Sequence, residues 1–379
     1  MRLLLMFSAL VLAACSREPA SEDKQLPRAS IGLRYLRAKD DAGFARAEEP
    51  RALAFPVDHG SHPWFRTEWW YFTGNLKSTD GDRYGFELTF FRVGLRPPEV
   101  DAPGQSAWRR DQIWMAHLAV TDATQQRFVA RERIARDALD LAGAAAAPAR
   151  VWVKGWSAAR GDESAQERWR LSAGDGDVGL QLNLTTDDAP VPNGEAGLDR
   201  KGPEPGNASY YYSLPRLATT GVLKIDGREV AVEGNAWMDR EWSTSALADD
   251  VAGWDWFGLR LSDGGSLMFY RLRRRDGTAD AFSGGMRVDG AGRRRRLTRD
   301  DVELTPIAYW ASPVSGTRYP IAWQLKIPSE QLALELRPYV PNQELSLSVR
   351  YWEGAVSGSG TKRDGGAMTA DGYLELAGY

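Results

Sequence analysis

Alternation of apolar and polar residues is the dominant pattern of the chain after residue 50. It is clearest at residues 84–90, where aromatic and leucine side chains alternate with small or polar ones, and it recurs at 180–184 and 345–349. Successive side chains of a β-strand point to opposite faces, so this alternation predicts half-buried antiparallel strands. Residues 113–120 are apolar almost throughout, which predicts a strand that is covered on both faces.

Turn signals separate the predicted strands. Asp-Gly pairs, which favour the tight turns of β-hairpins, stand at residues 80–81, 226–227, 263–264 and 289–290. Helical signals are scarce, and the alanine-rich residues 132–147 are the best candidate for a helix. The pattern as a whole therefore predicts an all-β fold.

The length and the loops indicate two units. Proline, glycine and asparagine mark residues 189–207 as a long loop before the second half of the chain. We expect two tandem antiparallel β-barrel or sandwich domains, an N-terminal one at residues 51–222 and a C-terminal one at residues 223–379.

The amino terminus predicts export and lipidation. Arg2 precedes an apolar run at residues 3–12, which is far shorter than the ~20 residues that span a bilayer. The run ends in Leu-Ala-Ala-Cys, which resembles a bacterial lipobox: residues 1–14 would be a signal peptide and Cys15 the lipidated first residue of the mature protein. An ordinary signal peptide followed by an incidental cysteine is the alternative. The composition of residues 15–50 predicts a flexible tether. Ser16, directly after the cysteine, resembles the signal for sorting to the outer membrane.

The composition excludes several classes of protein. The 379 residues carry a net charge of −3, a mean hydropathy of −0.44 and a single cysteine. These values exclude a disulfide framework, a basic surface for nucleic acid and a polytopic helical membrane protein. The sequence also lacks the G-x-S-x-G, H-E-x-x-H and Walker A motifs. The unusual number is the 15 tryptophans.

Two segments combine tryptophans with carboxylates, residues 55–76 and 234–257. Their tryptophans are Trp64, Trp69, Trp70, Trp237, Trp242, Trp254 and Trp256. In an extended chain, Trp237, Asp239 and Glu241 would point to one face and Arg240 to the other. The same parity in the first segment would place Glu68, Trp70 and Phe72 on one face, with Trp69 and Tyr71 opposite.

These segments resemble the carotenoid 1,2-hydratase (hydroxyneurosporene synthase) and AttH group of lipocalin-like proteins. The resemblance covers roughly residues 55–379. It rests on the opening DHG…HP…EWWY, on Met-Ala-His at 115–117, on WMDREW at 237–242, on GWDWF at 253–257, and on the tail YWEGAV with GY…EL…GY. It implies tandem lipocalin-like barrels without a metal or cofactor. The photosynthetic hydratases differ around the acid block, with His where this chain has Arg240, so the closer likeness is to the AttH branch, whose members occur with ABC-transporter genes.

Hydration of an isolated C=C bond requires a protonated acid, a surface that tolerates a carbocation and a base that guides water. A carboxyl group among tryptophans is desolvated, which raises its pKa, and aromatic faces stabilise cations. We expect Asp239 to be the acid, with Glu241 or Asp255 as its partner. The expected ligand-binding residues are Glu68, Trp70, Tyr71, His117, Trp237, Trp254 and Trp256. A structural salt bridge between the acid block and Arg240 is the alternative.

The histidines leave further alternatives open. His59 and His62, with Asp58, Glu68 and His117, have side chains that could ligate a metal. We expect instead that they brace an entry loop or contact a ligand, with no metal and no cofactor.

The sequence leads to two main hypotheses for the function, a carrier and an enzyme. The preferred hypothesis is a lipid-anchored envelope carrier, on the outer membrane and facing the periplasm, that binds a hydrophobic isoprenoid or lipid-like molecule and passes it to or from an ABC-type transporter. The alternative is an acid-catalysed hydratase or cyclase acting on a carotenoid-like C=C bond. A structural role in the envelope is a third possibility, and no nucleic acid partner is expected.

Overall fold

The computed structural model describes residues 43–98, 111–161, 166–244 and 247–379. Cys15 and the predicted signal peptide lie outside the described residues, as does most of the predicted tether. The described part is almost entirely β-structure, with short 3-10 helices at Val57–His59, Arg299–Asp301 and Pro328–Glu330. Within the described ranges, no helix combines the length and the apolarity that crossing a bilayer requires.

Within the described residues, the first sheet has 13 strands, all antiparallel to their neighbours. They are β1 (Thr67–Ser78), β2 (Arg83–Gly94), β3 (Gln112–Asp122), β4 (Arg127–Arg136), β5 (Ala142–Ala146), β6 (Ala149–Val153), β7 (Trp156–Arg160), β8 (Glu167–Asp175), β9 (Val178–Thr186), β10 (Val191–Pro192), β11 (Leu198–Arg200), β12 (Ala208–Ile225) and β13 (Arg228–Ser243). Their order is β4-β3-β2-β1-β13-β12-β9-β8-β7-β6-β5, with β10 and β11 also on β12. The sheet curls into a nearly closed barrel around one apolar core.

The second sheet has 10 strands in the part of the chain that the structure describes, and it forms a half-barrel. They are β14 (Val251–Leu261), β15 (Ser266–Arg274), β16 (Gly284–Val288), β17 (Arg294–Thr298), β18 (Glu303–Ala311), β19 (Arg318–Ile327), β20 (Leu332–Pro338), β21 (Glu344–Ser346), β22 (Arg350–Thr361) and β23 (Ala367–Ala377). Their order is β17-β16-β15-β14-β23-β22-β20-β19-β18, with β21 on β22.

Strand alternation builds the cores as the sequence predicts. Phe86, Leu88 and Phe90 of β2 enter the core of the first barrel together with Leu182 and Leu184 of β9. The predicted all-β fold of two lipocalin-like units is confirmed, and each Asp-Gly pair lies between two paired antiparallel strands. A separate aromatic cluster lies between the two sheets, with members from both.

Some sequence expectations need correction. Residues 132–147 are not a helix: they contain the end of β4 and all of β5, because pairing with β3 and β6 outweighs the helix propensity of alanine. Residues 347–349 form the bend between β21 and β22, and 189–207 contains two short strands. The border between the sheets lies after Ser243 rather than after residue 222, because β13 pairs with β1 and β12.

Candidate functional site

A row of polar side chains crosses the outer face of the first barrel. It forms because alternate residues such as Phe72 and Leu88 turn into the core, which leaves their neighbours on the outside. The strand register then aligns Ser213, Asp239, Tyr71, Thr89, His117 and Glu132 across β12, β13, β1, β2, β3 and β4. Side chains that are far apart in the sequence thus become direct cross-strand neighbours.

A second row lies on the half-barrel and faces the first. Its members are Glu353, Glu375, Trp256 and Tyr270, aligned across β22, β23, β14 and β15. The rows meet where the Tyr71 hydroxyl donates to Glu353 Oε1 at 2.7 Å and Trp256 Nε1 donates to the Tyr211 hydroxyl at 3.1 Å.

A cavity of about 470 Å³ separates the two sheets beside these rows. This volume is typical of sites for small organic molecules. Its wall is largely apolar, and the apolar side chains include Phe91, Val93, Ile113, Met115, Leu247, Leu272 and Val349. Carboxyl groups from both sheets interrupt that apolar surface.

Asp239 lines the cavity and accepts hydrogen bonds from three neutral donors. Tyr211 donates to its Oδ2 at 2.5 Å, while Ser213 and Trp237 donate to Oδ1 at 2.6 and 2.7 Å. Burial raises the pKa of Asp239 to about 7, although these three hydrogen bonds act in the opposite direction. The group can therefore both give and take a proton near neutral pH.

Glu241 lies two residues along the same strand and has a cationic partner. Lys201 donates to Glu241 Oε1 at 2.6 Å and to Asp199 Oδ2 at 3.1 Å, and Tyr270 also donates to Asp199. Burial raises the pKa of Glu241 and outweighs the opposing effect of Lys201. The Lys201 ammonium lies 5.2 and 4.8 Å from the ring centroids of Tyr211 and Tyr270.

A second acid cluster also lines the cavity and consists of Glu87 from the first barrel and Glu353 and Glu375 from the half-barrel. Burial is the main cause that raises the pKa of each, to about 8 for Glu375 and well above the usual range for Glu353. Oε2 of Glu87 and Oε2 of Glu353 are buried and have no hydrogen-bond partner in the part of the chain that the structure describes.

Aromatic rings connect the two groups of acids. The Trp256 ring lies edge-on to Tyr71 and Trp237, with ring centroids 5.3 and 6.0 Å apart. Trp254 packs against the same cluster and lines the cavity. A cation formed in the cavity would therefore lie near several aromatic faces.

Most residues that the sequence analysis selected meet at this cavity. Asp239, Glu241, Tyr71, His117, Trp254 and Trp256 line it, and Trp237 lies directly behind Asp239. The face that Trp237, Asp239 and Glu241 share, with Arg240 opposite, is as the parity argument predicts.

Glu68 reaches one end of the cavity, but its charge is already matched. Arg92 Nε and Arg240 Nη2 each lie 2.5 Å from one of its carboxylate oxygens, and the His62 backbone N–H donates to it. Burial alone would raise the pKa of Glu68, yet Arg92 and Arg240 hold it well below the usual range. The Arg240 guanidinium also lies 3.7 Å from the Trp70 ring centroid. The Arg240 salt bridge that we considered thus involves Glu68.

Two predicted site residues lie elsewhere. Trp70 belongs to the core of the first barrel and not to the cavity wall. Asp255 points away from Asp239, because its strand neighbours Trp254 and Trp256 occupy the cavity face, and it binds Arg271 and Arg273 at 2.7 and 3.2 Å.

The other two histidines, His59 and His62, do not line the cavity. His59 Nδ1 lies 2.6 Å from the Tyr212 hydroxyl, and His62 stacks on Trp242 with ring centroids 3.8 Å apart. These contacts hold the segment before β1 against the barrel, as expected for a braced loop. Within the described ranges, no group of three or more His, Cys, Asp or Glu side chains could hold a metal ion.

Sequence reasoning missed the second acid cluster and Lys201. Glu353 and Glu375 lie in the YWEGAV and GY…EL tail segments, so the family resemblance contained a signal for both. Their approach to Tyr71 and Asp239 depends on the docking of two sheets, which periodicity does not encode.

Comparison with known proteins finds a matching family and similar solved structures. A family model described as AttH-like matches residues 46–379. The crystal structure of a protein assigned as AttH from Nitrosomonas europaea matches with a TM-score of 0.77 and 35% identity, over 89% of this chain and 100% of that one. Kievitone hydratase from Nectria haematococca shares the fold, with a TM-score of 0.65 and 17% identity over 88% of this chain and 98% of its own.

One relative is known as a dehydratase. The dehydratase AsqC of Emericella nidulans is 25% identical over 184 residues, which are 46% of this chain and 50% of that protein. The chain therefore spans about half the length of the curated relative that it matches.

Proposed function

The chain belongs to the AttH-like family, and from this premise we propose that it is an enzyme that adds water to, or removes water from, a hydrophobic substrate held between its two sheets. The observation that carries the proposal is Asp239, a buried carboxyl group with a pKa near 7 in the wall of an apolar cavity. Addition and removal of water both need a group that can exchange a proton at that pH.

The buried acids favour an enzyme over the carrier that we preferred from the sequence. An apolar wall is sufficient to bind a hydrophobic molecule, whereas burial of a carboxyl group that lacks a cationic partner costs stability. Asp239, Glu353 and Glu375 all have raised pKa values because they are buried in this wall. Buried carboxyl groups with strongly raised pKa values are typical of catalytic sites.

The relatives support the same reaction class. The partial match to a dehydratase concerns sequence, and the likeness to kievitone hydratase concerns the fold. Hydration and dehydration are the same reaction in opposite directions, so one set of acid and base groups serves both.

The mechanism assigns proton exchange to Asp239. In dehydration its carboxyl group would protonate the leaving hydroxyl, while a carboxylate of the second acid cluster takes the proton of the adjacent C–H bond as the C=C bond forms. In hydration the steps run in reverse: an acid of the cluster protonates the C=C bond, and the Asp239 carboxylate takes a proton from the attacking water. Tyr211, Ser213 and Trp237 fix its two oxygens, so the group does not reorient during the reaction. The rings of Trp254 and Trp256 would stabilise cationic character on the substrate, at about 0.5–2 kcal/mol per contact.

The test uses purified full-length protein in H₂¹⁸O with a panel of acyclic isoprenoid alkenes and the matching tertiary alcohols. We expect ¹⁸O-labelled alcohol from an alkene, or alkene from an alcohol, detected by mass spectrometry. Asp239→Asn should lower turnover by about 100-fold or more, because it removes a positioned proton-transfer group.

The matched control is Asp371→Asn, which makes the same change at an exposed residue outside the cavity. Retention of panel members by the wild type without conversion of any of them would reject the enzyme and favour the carrier. The lipid anchor at Cys15, the envelope location and the link to an ABC-type transporter stay predictions of the sequence.

A further inference from the structure

A chain of hydrogen bonds leads from the outer end of the polar row into the cavity wall. Glu132 Oε1 lies 3.0 Å from His117 Nε2, and His117 Nδ1 lies 2.7 Å from the Tyr351 hydroxyl. The Tyr351 hydroxyl in turn donates to Glu87 Oε1 at 2.9 Å. Both sheets contribute, because Tyr351 belongs to β22 and the other residues to β2, β3 and β4.

The burial of these residues gives the chain an outer and an inner end. The Glu132 side chain retains 17% of its exposure, whereas that of His117 retains none. Tyr351 and Glu87 are buried as well, and both line the cavity. The chain therefore begins at a residue that solvent can reach and ends at the acid cluster of Glu87, Glu353 and Glu375.

We propose that Glu132, His117 and Tyr351 form a proton path that connects solvent with Glu87 and, through it, with the acid cluster in the cavity wall. The proposal rests on the proposed function, since it explains how the acids of a hydratase regain the protons that they give to the substrate. Glu132, His117 and Tyr351 act on the reaction through Glu87 and would not contact the substrate's reacting atoms.

The reaction creates the need for such a path. When an acid of the cluster gives a proton to the substrate and Asp239 takes a proton from water, the cluster has lost a proton and Asp239 has gained one. The acid that gave the proton must regain one before the next turnover. An apolar substrate or product in the cavity excludes the water that would otherwise carry it.

The proton count balances along the chain. A proton on Glu132 passes to His117 Nε2, the Nδ1 proton passes to the Tyr351 oxygen, and the Tyr351 hydroxyl proton passes to Glu87 Oε1. Each O–H or N–H bond that breaks is replaced by a new one, and Glu132 takes its next proton from solvent. The reverse sequence carries a proton outward, and no oxidant or reductant is involved.

The pKa values of the carboxyl groups at the two ends favour transfer of a proton from Glu132 inward to Glu87. Burial raises the pKa of Glu132, but its hydrogen bonds with His117 and Ser348 outweigh burial and lower the pKa overall. At the inner end, burial raises the pKa of Glu87 despite the nearby His117 and the hydrogen bonds from Thr89 and Tyr351. The carboxyl group inside the wall therefore holds its proton more firmly than the one that solvent reaches.

The test follows proton exchange directly and needs no substrate. Full-length protein in H₂O is mixed rapidly with D₂O, and time-resolved infrared spectroscopy follows the carbonyl stretch of the protonated carboxyl groups as COOH becomes COOD. The variant Glu87→Gln identifies the band of Glu87. Tyr351→Phe removes the hydroxyl between His117 Nδ1 and Glu87 Oε1, and we expect it to slow exchange of that band by about 100-fold.

The protein contains a matched control. Tyr212 forms the same kind of hydrogen-bonded chain, with His59 Nδ1 at 2.6 Å and Glu167 Oε1 3.3 Å from His59 Nε2. Tyr212 does not line the cavity, so Tyr212→Phe should leave exchange at Glu87 unchanged. Each protein is also measured in dodecane-saturated buffer, which fills the apolar cavity and closes any route for water through it.

The outcomes separate this proposal from the proposed function. Equal exchange rates in the wild type and Tyr351→Phe with dodecane present would overturn the proton path, whether or not the protein turns over a substrate. Slow exchange in Tyr351→Phe, without turnover of any panel substrate by the wild type, would support the path and reject the enzyme. If Tyr351→Phe does not fold, Glu132→Gln at the exposed end provides the same comparison.

Discussion

Asp239 and Asp255 show how neighbouring groups decide what a buried aspartate can do. Both are nearly inaccessible to solvent. Asp255 is paired with the guanidinium groups of Arg271 and Arg273, whereas Asp239 receives hydrogen bonds only from neutral donors. An aspartate that is paired with two arginines has a structural role, but one among hydroxyl and indole groups can exist in either protonation state.

This difference predicts how stability depends on pH at Asp239. Its pKa is raised from 3.8 to about 7 in the folded protein, so its ionisation opposes folding. The associated stability is complete below the unfolded pKa and is lost as pH rises through the folded pKa. Asp239→Asn cannot ionise, so between pH 5 and pH 8 it should gain about 2–3 kcal/mol of unfolding free energy relative to wild type. Urea denaturation at the two pH values measures this gain.

Asp255→Asn is the contrasting variant for this experiment. It leaves Arg271 and Arg273 without their carboxylate, and we expect it to lose about 3–5 kcal/mol at both pH values. If Asp239→Asn and wild type differed by the same free energy at pH 5 and pH 8, Asp239 would be an ordinary ionised carboxylate and its role in proton exchange would be rejected.

At the scale of strands, alternation determined which face each residue occupies but not which residues become neighbours. Parity correctly grouped Trp237 with Asp239 and separated Trp70 from Tyr71. Register could not be predicted, because the pairing of β13 with β1 and of β14 with β23 depends on contacts between residues far apart in the sequence. Parity also contradicts the role that we expected for Asp255, because an extended chain places its carboxylate opposite Trp254 and Trp256, which occupy the cavity face.

The two sheets approach each other closely at Gly85. A Cβ atom added to it would lie 2.6 Å from the Cβ of Ala355 on β22 and 2.7 Å from the hydroxyl of Tyr373 on β23. We therefore expect Gly85→Ala to force the sheets apart and to lower the unfolding free energy by about 1–3 kcal/mol. Thermal denaturation followed by circular dichroism measures the change.

Gly174→Ala is the matched control, because a Cβ at Gly174 would meet its nearest neighbour, the Val178 carbonyl oxygen, at an ordinary 3.5 Å. We expect it to change the stability by less than about 0.5 kcal/mol, as substitutions away from special features do. Equal stability of the two variants would show that the sheets can separate at Gly85 without cost.

At the scale of the whole molecule, the site exists only where the two sheets meet. The Tyr71–Glu353 hydrogen bond joins residues 282 positions apart, and the proton path joins β22 to the first barrel across 234 positions. The sequence could provide the Trp-rich blocks, their carboxylates and the lipocalin-like class, since these are local patterns or family motifs. It could not provide the approach of Glu353 and Glu375 from the half-barrel, because that approach is a result of docking.

The shared aromatic cluster predicts that the two sheets unfold together. Tyr71, Tyr211 and Trp237 of the first sheet pack with Trp256 and Tyr373 of the second, so separation of the sheets would expose large aromatic surfaces to water. Calorimetry of the full-length protein should therefore show one transition. A substitution in either core, Leu88→Ala in the first or Leu334→Ala in the second, should cost about 2–5 kcal/mol and lower the temperature of that same transition.

Independent domains would behave differently in this experiment. Each substitution would then move only the transition of its own sheet, and the heat capacity trace of each variant would contain two peaks. That result would mean that the aromatic cluster contributes little to the docking of the sheets. The cavity could then open by separation of its walls, and the acids would exchange protons with bulk water without any path through His117.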